Sequence, residues 1–340
     1  MSRVLVTGGS GFVGGHAVAR LLAEGHEVRA TVRSAGRAAE LRARVGATEA
    51  SPLEIAVADL SGDEGWGDAA RGCDFALHVA SPFPPGDVAD EEALIAPARD
   101  GTLRVLRACR DAGVRRVVLT SSFAAVGYGH PPRSAPFTEE DWTQPEGPGV
   151  TAYVKSKLFA ERAAWAFVEG EGGGLELSVV NPVGIFGPVL GPEVCSSVAI
   201  VQKMLSGGMP ACPRVAFGVV DVRDGVDLHL RAMTSPAAAG RRYLAVAGES
   251  VSMIEVARIL RAHLGEGARE APTRQLPDWV VRALGLFSPE LRALVPQLGL
   301  LRRASAARAR EELGWSPRPN EAVIVATGER LLELGLTGPA

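Results

Sequence analysis

Residues 3–14 of the chain read RVLVTGGSGFVG, a short apolar run followed by glycines at intervals of three. The apolar run predicts a buried β-strand, and the pattern of residues 13–23 predicts a helix. Gly8 allows a tight turn, Gly11 lets a pyrophosphate approach the backbone, and Gly14 lets the helix lie close to the strand. The free N–H groups of the first helical turn then face the phosphates. This stretch therefore predicts a dinucleotide-binding fold.

The composition is that of an ordinary globular protein. The 340 residues are 46% hydrophobic and 22% charged, with a formal net charge of -3 and no basic block. A nucleic-acid or membrane-surface partner is therefore not expected. No apolar run reaches the roughly 18–20 residues that span a bilayer. The chain enters its first strand at once, which predicts that it carries no signal peptide and is cytoplasmic.

The cysteines and histidines predict neither disulfides nor a metal site. The four cysteines lie far apart and form no C-x-x-C pair, which is typical of reduced thiols in a cytoplasmic protein. The six histidines include no H-E-x-x-H or similar ligand spacing.

The second predicted strand, residues 27–32, ends next to Arg33 and Arg37. In a dinucleotide fold this strand end meets the adenosine ribose. An acid there binds the 2′-hydroxyl of NAD, whereas an arginine accommodates the 2′-phosphate of NADP. No Asp or Glu lies between Val28 and Ala39, and guanidinium groups form charge-assisted hydrogen bonds to phosphate. The sequence therefore favours NADPH, with two solvated surface arginines as the alternative.

Short apolar strands continue to alternate with helices. Strands are predicted at 53–58, within 73–82 and at 116–120, and a long helix at 89–112, which Pro97 either kinks or starts. This alternation predicts an α/β fold with a doubly wound parallel sheet of the Rossmann type. Ligands of such sheets bind at the carboxyl ends of the strands.

Three polar residues lie in or just after these strands. Asp59 follows the third strand, where it either accepts a hydrogen bond from the adenine amino group or caps the next turn. His78 lies inside the fourth strand, which predicts a core histidine rather than a catalytic one. Ser122 ends the fifth strand, beside the expected position of the nicotinamide.

Tyr153 and Lys157 are four residues apart on a predicted helix, so they share one face. A carbonyl that receives hydride also needs a proton, which a phenol can supply. A neighbouring ammonium lowers the pKa of that phenol from its ordinary value near 10. Ser122 can hydrogen-bond the same oxygen, and Lys157 can also reach the ribose. Lys155, two residues from Tyr153, points elsewhere and is expected in solvent.

Together these motifs make the chain similar to a known family. The chain resembles the extended short-chain dehydrogenase/reductases, in particular the branch of dihydroflavonol 4-reductase, cinnamoyl-CoA reductase and microbial aldehyde or ketone reductases. The shared pieces cover nearly the whole chain: 7–14, 29–33, 78–82, 118–122, Tyr153 and Lys157 with 160–165, 181–188, 221–224 and 307–315.

The resemblance implies a catalytic triad of Ser122, Tyr153 and Lys157. It also implies a set of NADPH contacts, which comprise Gly8, Gly11, Phe12, Val13, Arg33, Arg37, Asp59, Leu60, Val79, Ala80, Ser81, Thr120, Tyr153, Lys157, Pro182, Val183 and Ser197. One feature departs from the family. Plant dihydroflavonol reductases carry an Asn or Asp shortly after the catalytic Ser, whereas residues 123–126 here read FAAV. A more apolar aldehyde or ketone is therefore expected instead of a flavonoid.

The second half of the chain is predicted to add a smaller, mainly helical substrate lobe. Residues 1–185, with 216–247 returning, would form the NADP-binding domain, and 186–215 with 248–340 the substrate lobe. The expected helices of this lobe lie at about 253–263, 278–284, 289–301, 304–313 and 320–334.

The substrate pocket is expected between the two lobes. Its candidate walls are Phe83, Phe123, Phe186, Val189 and Met204. Trp279 and Trp315 are expected in the core because they lie on helices with apolar spacing.

These observations predict an NADPH-dependent carbonyl reductase acting on a small molecule, as a monomer or homodimer. Two alternatives remain. One is a nucleotide-sugar epimerase or dehydratase on the same scaffold, which keeps and recycles its cofactor. The other is a sensor that binds NADP without chemistry.

Overall fold

The computed structural model describes residues 1–82 and 90–338. Its main sheet has seven parallel strands in the order β10-β6-β5-β4-β1-β2-β3. These strands are β1 (Arg3–Thr7), β2 (Glu27–Val32), β3 (Leu53–Val57), β4 (Phe75–His78), β5 (Arg116–Thr120), β6 (Glu176–Pro182) and β10 (Arg241–Ala245). The chain reverses its winding between β1 and β4, so the sheet is doubly wound as the sequence predicts.

Two short strand pairs complete the β structure. Strand β7 (Gly184–Phe186) pairs in parallel with β9 (Val219–Asp221), and β8 (Ala216–Phe217) pairs antiparallel with β11 (Val251–Ser252). Both pairs lie in the part of the chain that follows β6.

Helices cover both faces of the sheet and form the C-terminal region. They are α1 (Phe12–Ala23), α2 (Ala38–Arg44), α3 (Trp66–Ala70), α4 (Glu92–Asp111), α5 (Ala152–Glu171), α6 (Ser196–Leu205), α7 (Val222–Thr234), α8 (Met253–Leu264), α9 (Asp278–Leu284), α10 (Pro289–Leu294), α11 (Ala307–Leu313) and α12 (Asn320–Glu333). The helix predicted over 289–301 stops at Leu294 and continues only as a 3₁₀ turn, since Pro296 lacks the N–H that an α-helix needs.

The apolar side chains of the strands alternate between two cores. Val4 and Val6 of β1 pack on one face of the sheet with α1 and α7, whereas Leu5 packs on the other face with α4 and α5. Both faces are therefore covered, as parallel sheets require. The register of β1 fixes the position of the glycine turn that follows it.

A third cluster joins α6, α8 and α12 with the loop after β7. This helical cluster occupies the region that the sequence assigns to the smaller lobe. Helix α11 differs, because Ala309 and Leu313 pack in the first core against β10 and α7 although they lie within 248–340. The exact division of the chain into two domains stays a prediction.

The two tryptophans expected in the core behave differently. Trp315 is buried, and its Nε1 donates to Asp224 O at 2.9 Å. Trp279 is 72% exposed, so its expected burial was wrong. Helix α9 is only seven residues long and buries Val281 on its inner face; Trp279, two residues earlier, points away from that face.

Among the helices of residues 1–82 and 90–338, none is long and apolar enough to cross a membrane.

Candidate active site

A cavity of about 880 Å³ opens at the carboxyl ends of β1, β2, β4, β5 and β6. It starts at the glycine turn after β1 and extends to the C-terminal region. Every residue that the sequence predicts as catalytic or as a cofactor contact lines it, from Gly8 and Arg33 to Lys157 and Ser197. The topology brings these distant residues together because parallel strands all end at one edge of the sheet.

The glycine turn has the backbone that close packing requires. Gly8 has a φ of +68°, which favours glycine. A Cβ on Gly14 would lie 2.1 Å from Gly8 O, so only glycine lets α1 start this close to β1. No side chain of the described residues caps the N-terminus of α1, so its first N–H groups can meet an anion. These features fit the pyrophosphate of a dinucleotide.

Beside the glycine turn, Thr7 at the end of β1 is hydrogen-bonded to His78 and to the residues that follow it at the end of β4. The Thr7 hydroxyl accepts from the N–H groups of Val79 and Ala80, at 3.0 Å each, and bonds His78 Nδ1 at 2.8 Å. His78 is fully buried, and burial lowers its pKa to about 3, so its imidazole stays neutral. His78 is therefore a core residue, as predicted, although its Nε2 has no acceptor among the described residues.

The adenosine end of the cavity carries both predicted arginines. Arg33 is exposed and has no ion-pair partner within the described part of the chain. Arg37 instead pairs with Glu193 and Glu40. Asp59 accepts from the backbone N–H and the hydroxyl of Ser61, at 2.8 and 2.6 Å, and these bonds lower the pKa of its carboxyl. The structure thus gives Asp59 the capping role, and its contact with adenine stays a prediction.

The candidate catalytic residues meet at the centre of the cavity. Thr151 caps α5 by accepting from Val154 N, which places Tyr153 in the first helical turn and Lys157 one turn later on the same face. The Tyr153 hydroxyl is hydrogen-bonded to the Ser122 side chain. Lys157 Nζ lies 5.7 Å from the centroid of the Tyr153 ring and donates to Ser81 Oγ at 2.6 Å.

Burial governs the charge states of this pair. Loss of solvation raises the pKa of Tyr153, while its bond to Ser122 acts in the opposite direction. Lys157 was expected to lower the pKa of the Tyr153 phenol, but in this structure this pKa is raised. Burial also lowers the pKa of Lys157 to about 8. Lys155 does not line the cavity, and it pairs with Glu91 at 2.8 Å; its side chain is 18% exposed, so it is less solvated than expected.

A buried ion pair supports the catalytic residues from behind. Glu161 is fully buried and accepts from Ser121 Oγ at 2.5 Å, Asn181 Nδ2 at 2.7 Å and Arg242 Nε at 2.6 Å. Asn181 Nδ2 also donates to Ser122 O at 3.2 Å. One carboxylate thus ties α5 to the ends of β5 and β6. The sequence contains Glu161 and Asn181 within the family motifs, but a glutamate on a helix ordinarily indicates a solvated face.

The predicted pocket walls divide into three groups. Phe123 and Phe186 line the cavity. Val189 and Met204 do not line it and pack inside the helical cluster. Phe83 lies outside the described residues.

Sequence reasoning missed Arg302 and Gln297, two cavity residues from the C-terminal region. Arg302 and Gln297 reach the wall from the segment between α10 and α11, and Tyr128 reaches it from the loop after β5. No motif marks Arg302 or Gln297, since only the tertiary fold brings their segment to the cavity. No group of three or more His, Cys, Asp or Glu in the described ranges could hold a metal ion.

The fold and this cavity define a Rossmann-type nucleotide-binding protein. Residues 4–246 match the model of the NAD dependent epimerase/dehydratase family. The chain is 36% identical over 287 residues to the cinnamoyl-CoA reductase CAD2 of Medicago truncatula, covering 81% of this chain and 82% of the relative. It is 36% identical over 248 residues to the dihydroflavonol 4-reductase of Zea mays, covering 70% of this chain and 68% of the relative.

A solved structure is similar over the full length. The yeast methylglyoxal/isovaleraldehyde reductase Gre2, complexed with NADPH, is 27% identical, with a TM-score of 0.81 over 98% of this chain and 99% of that one. The chain belongs to the NAD dependent epimerase/dehydratase family. The resemblance to the reductase branch of the extended short-chain dehydrogenase/reductases is thereby confirmed, and with it the class of enzyme, an oxidoreductase acting on C=O or CH–OH groups.

Proposed function

We propose that this protein is an NADPH-dependent carbonyl reductase that converts an aldehyde or ketone into an alcohol. The observation that carries this proposal is the Ser122–Tyr153 hydrogen bond, with Lys157 beside the Tyr153 ring, in one cavity with the glycine turn. A proton donor and a nucleotide cradle in one site are what carbonyl reduction requires.

The binding of NADPH rests on the shape and charge of the chain. The N-terminus of α1 would hold the pyrophosphate, and Arg33, which forms no salt bridge within the described residues, would hold the 2′-phosphate. The solved relative Gre2 holds NADPH. When bound, NADPH supplies the hydride.

Tyr153, Ser122 and Lys157 have separate roles in protonating the carbonyl oxygen. Tyr153 stays protonated at neutral pH because its pKa is raised, so it can donate a proton to the carbonyl oxygen. Ser122 holds that oxygen through its hydroxyl. The Lys157 ammonium, present below about pH 8, stabilises the phenolate that proton donation leaves behind.

Two variants on helix α5 test these roles. Tyr153→Phe should lower kcat by about 10²- to 10⁴-fold, the usual size of a lost general acid, while NADPH binding measured by fluorescence survives. Lys157→Met should also lose turnover. Lys155→Met, on the same helix but paired with Glu91, is the matched control and should keep it. Near-normal turnover of Tyr153→Phe would refute the proposal.

The stoichiometry of the cofactor separates this function from the alternatives. A reductase releases one NADP⁺ for each alcohol formed, whereas an epimerase or dehydratase recycles its bound cofactor. A panel of aldehydes, bulky ketones, β-keto esters and dihydroflavonols should therefore show stoichiometric NADPH consumption with at least one compound. No consumption with any of them would favour a binding module without chemistry. The cytoplasmic location stays a prediction.

A further inference from the structure

The wall of the cavity formed by the C-terminal region carries a cation that the proposed reaction does not use. Arg302 is half-buried there, and its guanidinium carbon lies 4.4 Å from the centroid of the Tyr128 ring. Its Nη1 donates to the side-chain oxygen of Gln297 at 2.5 Å. The side chain is thus held in one orientation by an aromatic face and an amide.

One edge of this guanidinium has no hydrogen-bond partner among the described residues. Nε and Nη2 have no acceptor, and no carboxylate pairs with Arg302, in the ranges that the structure describes. Neither nitrogen is completely sealed from the cavity or solvent. Burial lowers the pKa of Arg302, yet arginine keeps its charge at any working pH. A half-buried cation without a counter-ion is costly unless an anion joins it.

The charges around Arg302 leave it unneutralised. The carboxylates among the described lining residues are Asp59 and Glu193. Glu193 pairs with Arg37, and Asp59 is next to Arg33, so both belong to the adenosine end. The opposite end of the cavity, where the substrate is expected, therefore carries the positive charge of Arg302.

Arg302 lies close to the reacting centre. Tyr128, under its guanidinium, contacts Phe123 edge-on at 6.2 Å between ring centroids, and Phe123 directly follows Ser122. Tyr128 is also near enough to influence the pKa of Tyr153. A group bound by Arg302 would therefore lie in the same cavity as the carbonyl that Tyr153 protonates, on the side of Tyr128.

We propose that the substrate is an oxo acid, whose carbonyl lies at Tyr153 and whose carboxylate pairs with the Nε–Nη2 edge of Arg302. Two parallel N–H donors match the two oxygens of one carboxylate. Phe123, Ala124 and the Tyr128 ring, which line the cavity, then cover the carbon chain between the two groups. This assignment rests on the proposed carbonyl reductase activity and adds the class of substrate.

Three aromatic aldehydes that differ only in the remote group test the assignment. They are 4-formylbenzoate, its methyl ester and 4-formylphenyl phosphate, assayed by NADPH consumption. The wild-type kcat/KM should be at least tenfold higher for the carboxylate than for the ester. Arg302→Gln should lower this carboxylate-to-ester ratio by about 10- to 100-fold, the size of a lost charge-assisted pair. Arg302→Lys, which keeps the charge without the two-donor edge, should lower it less.

Arg303→Gln is the matched control, because Arg303 is exposed and pairs with Glu249. It should leave the ratio unchanged. Binding of 4-(hydroxymethyl)benzoate, measured calorimetrically, should weaken in Arg302→Gln alone, which gives a readout independent of turnover.

Each other outcome has a definite meaning. Reduction of the ester with no preference for the carboxylate, or an equal ratio in wild type and Arg302→Gln, overturns the oxo-acid assignment and leaves the reductase in place. Preference for the phosphate over the carboxylate overturns it in favour of a phosphorylated substrate. If none of the three aldehydes, nor any compound of the broader panel, is reduced, the proposed reductase function fails and the oxo-acid assignment fails with it.

Discussion

Glu161→Gln is the substitution for which the structure gives the sharpest expectation. It keeps the shape of the side chain but removes the charge of a fully buried carboxylate and replaces one acceptor oxygen with a donor. Arg242, 8% exposed in its side chain, then loses its ion-pair partner, and its Nη2 already has no acceptor among the described residues. Breaking a buried ion pair by removing one partner costs about 3–5 kcal/mol.

This cost should appear in both stability and turnover. For a chain of this size, about 3–5 kcal/mol corresponds to a fall in Tm of roughly 5–10 °C, measured by scanning calorimetry. Asn181 also loses the acceptor that holds it against Ser122 O. Because small misplacements of reacting groups are expensive, kcat should fall by about 10- to 100-fold, with the KM for NADPH changing less than about threefold.

Two further variants separate charge from position. Glu169→Gln, at an exposed site on the same helix, should change neither quantity. The double variant Glu161→Met with Arg242→Met removes both charges, so it should recover much of the stability. It should not recover kcat, since Asn181 still lacks its acceptor. A Glu161→Gln protein with an unchanged Tm would show that this reasoning about the buried pair is wrong.

Three other measurements follow from the site. Burial depresses the pKa of Lys157 to about 8, so its ammonium is present below that pH and lost above it. The kcat/KM for carbonyl reduction should therefore fall about tenfold per pH unit above pH 8. A pH profile of kcat/KM that is flat to pH 9.5 would contradict this role of Lys157. Arg33→Ala should raise the Kd for NADPH by about 10- to 100-fold and leave NADH binding almost unchanged; equal weakening of both would assign Arg33 another role. Gly14→Ala should abolish NADPH binding or folding, because its Cβ would lie 2.1 Å from Gly8 O, whereas Gly15→Ala, whose Cβ would first meet a flexible leucine side chain at 3.3 Å, should bind NADPH.

Local sequence predicted most of the nucleotide half of the protein. Strand β1 and its glycine turn follow from apolar residues and from glycines that no other residue can replace at a positive φ or a close approach. Tyr153 and Lys157 follow from a spacing of four on a helix, which fixes their shared face without any tertiary contact.

Other features had no local signal. The pattern of helix α9 suggested a buried Trp279, but the helix presents only one face to the protein and Trp279 lies on the other. Val189 and Met204 were correctly apolar, yet the packing of α6 and α12 places them inside the helical cluster and away from the cavity. A sequence pattern indicates that a residue is buried, but not whether its side chain faces the cavity or the interior of the helical cluster.

The sequence by itself determined the parallel sheet, the cradle for a dinucleotide and the pairing of a phenol with an ammonium, because each depends on residues within one strand, one turn or one helix. Only the tertiary structure decided which partners these groups meet. It buries Tyr153 and so raises its pKa, and it pairs Glu161 with Arg242 across 81 residues. It also brings Arg302 to the cavity, where no described carboxylate forms a salt bridge with it. Solvation and charge pairing depend on all the neighbours in space, and those neighbours come from segments that are far apart along the chain.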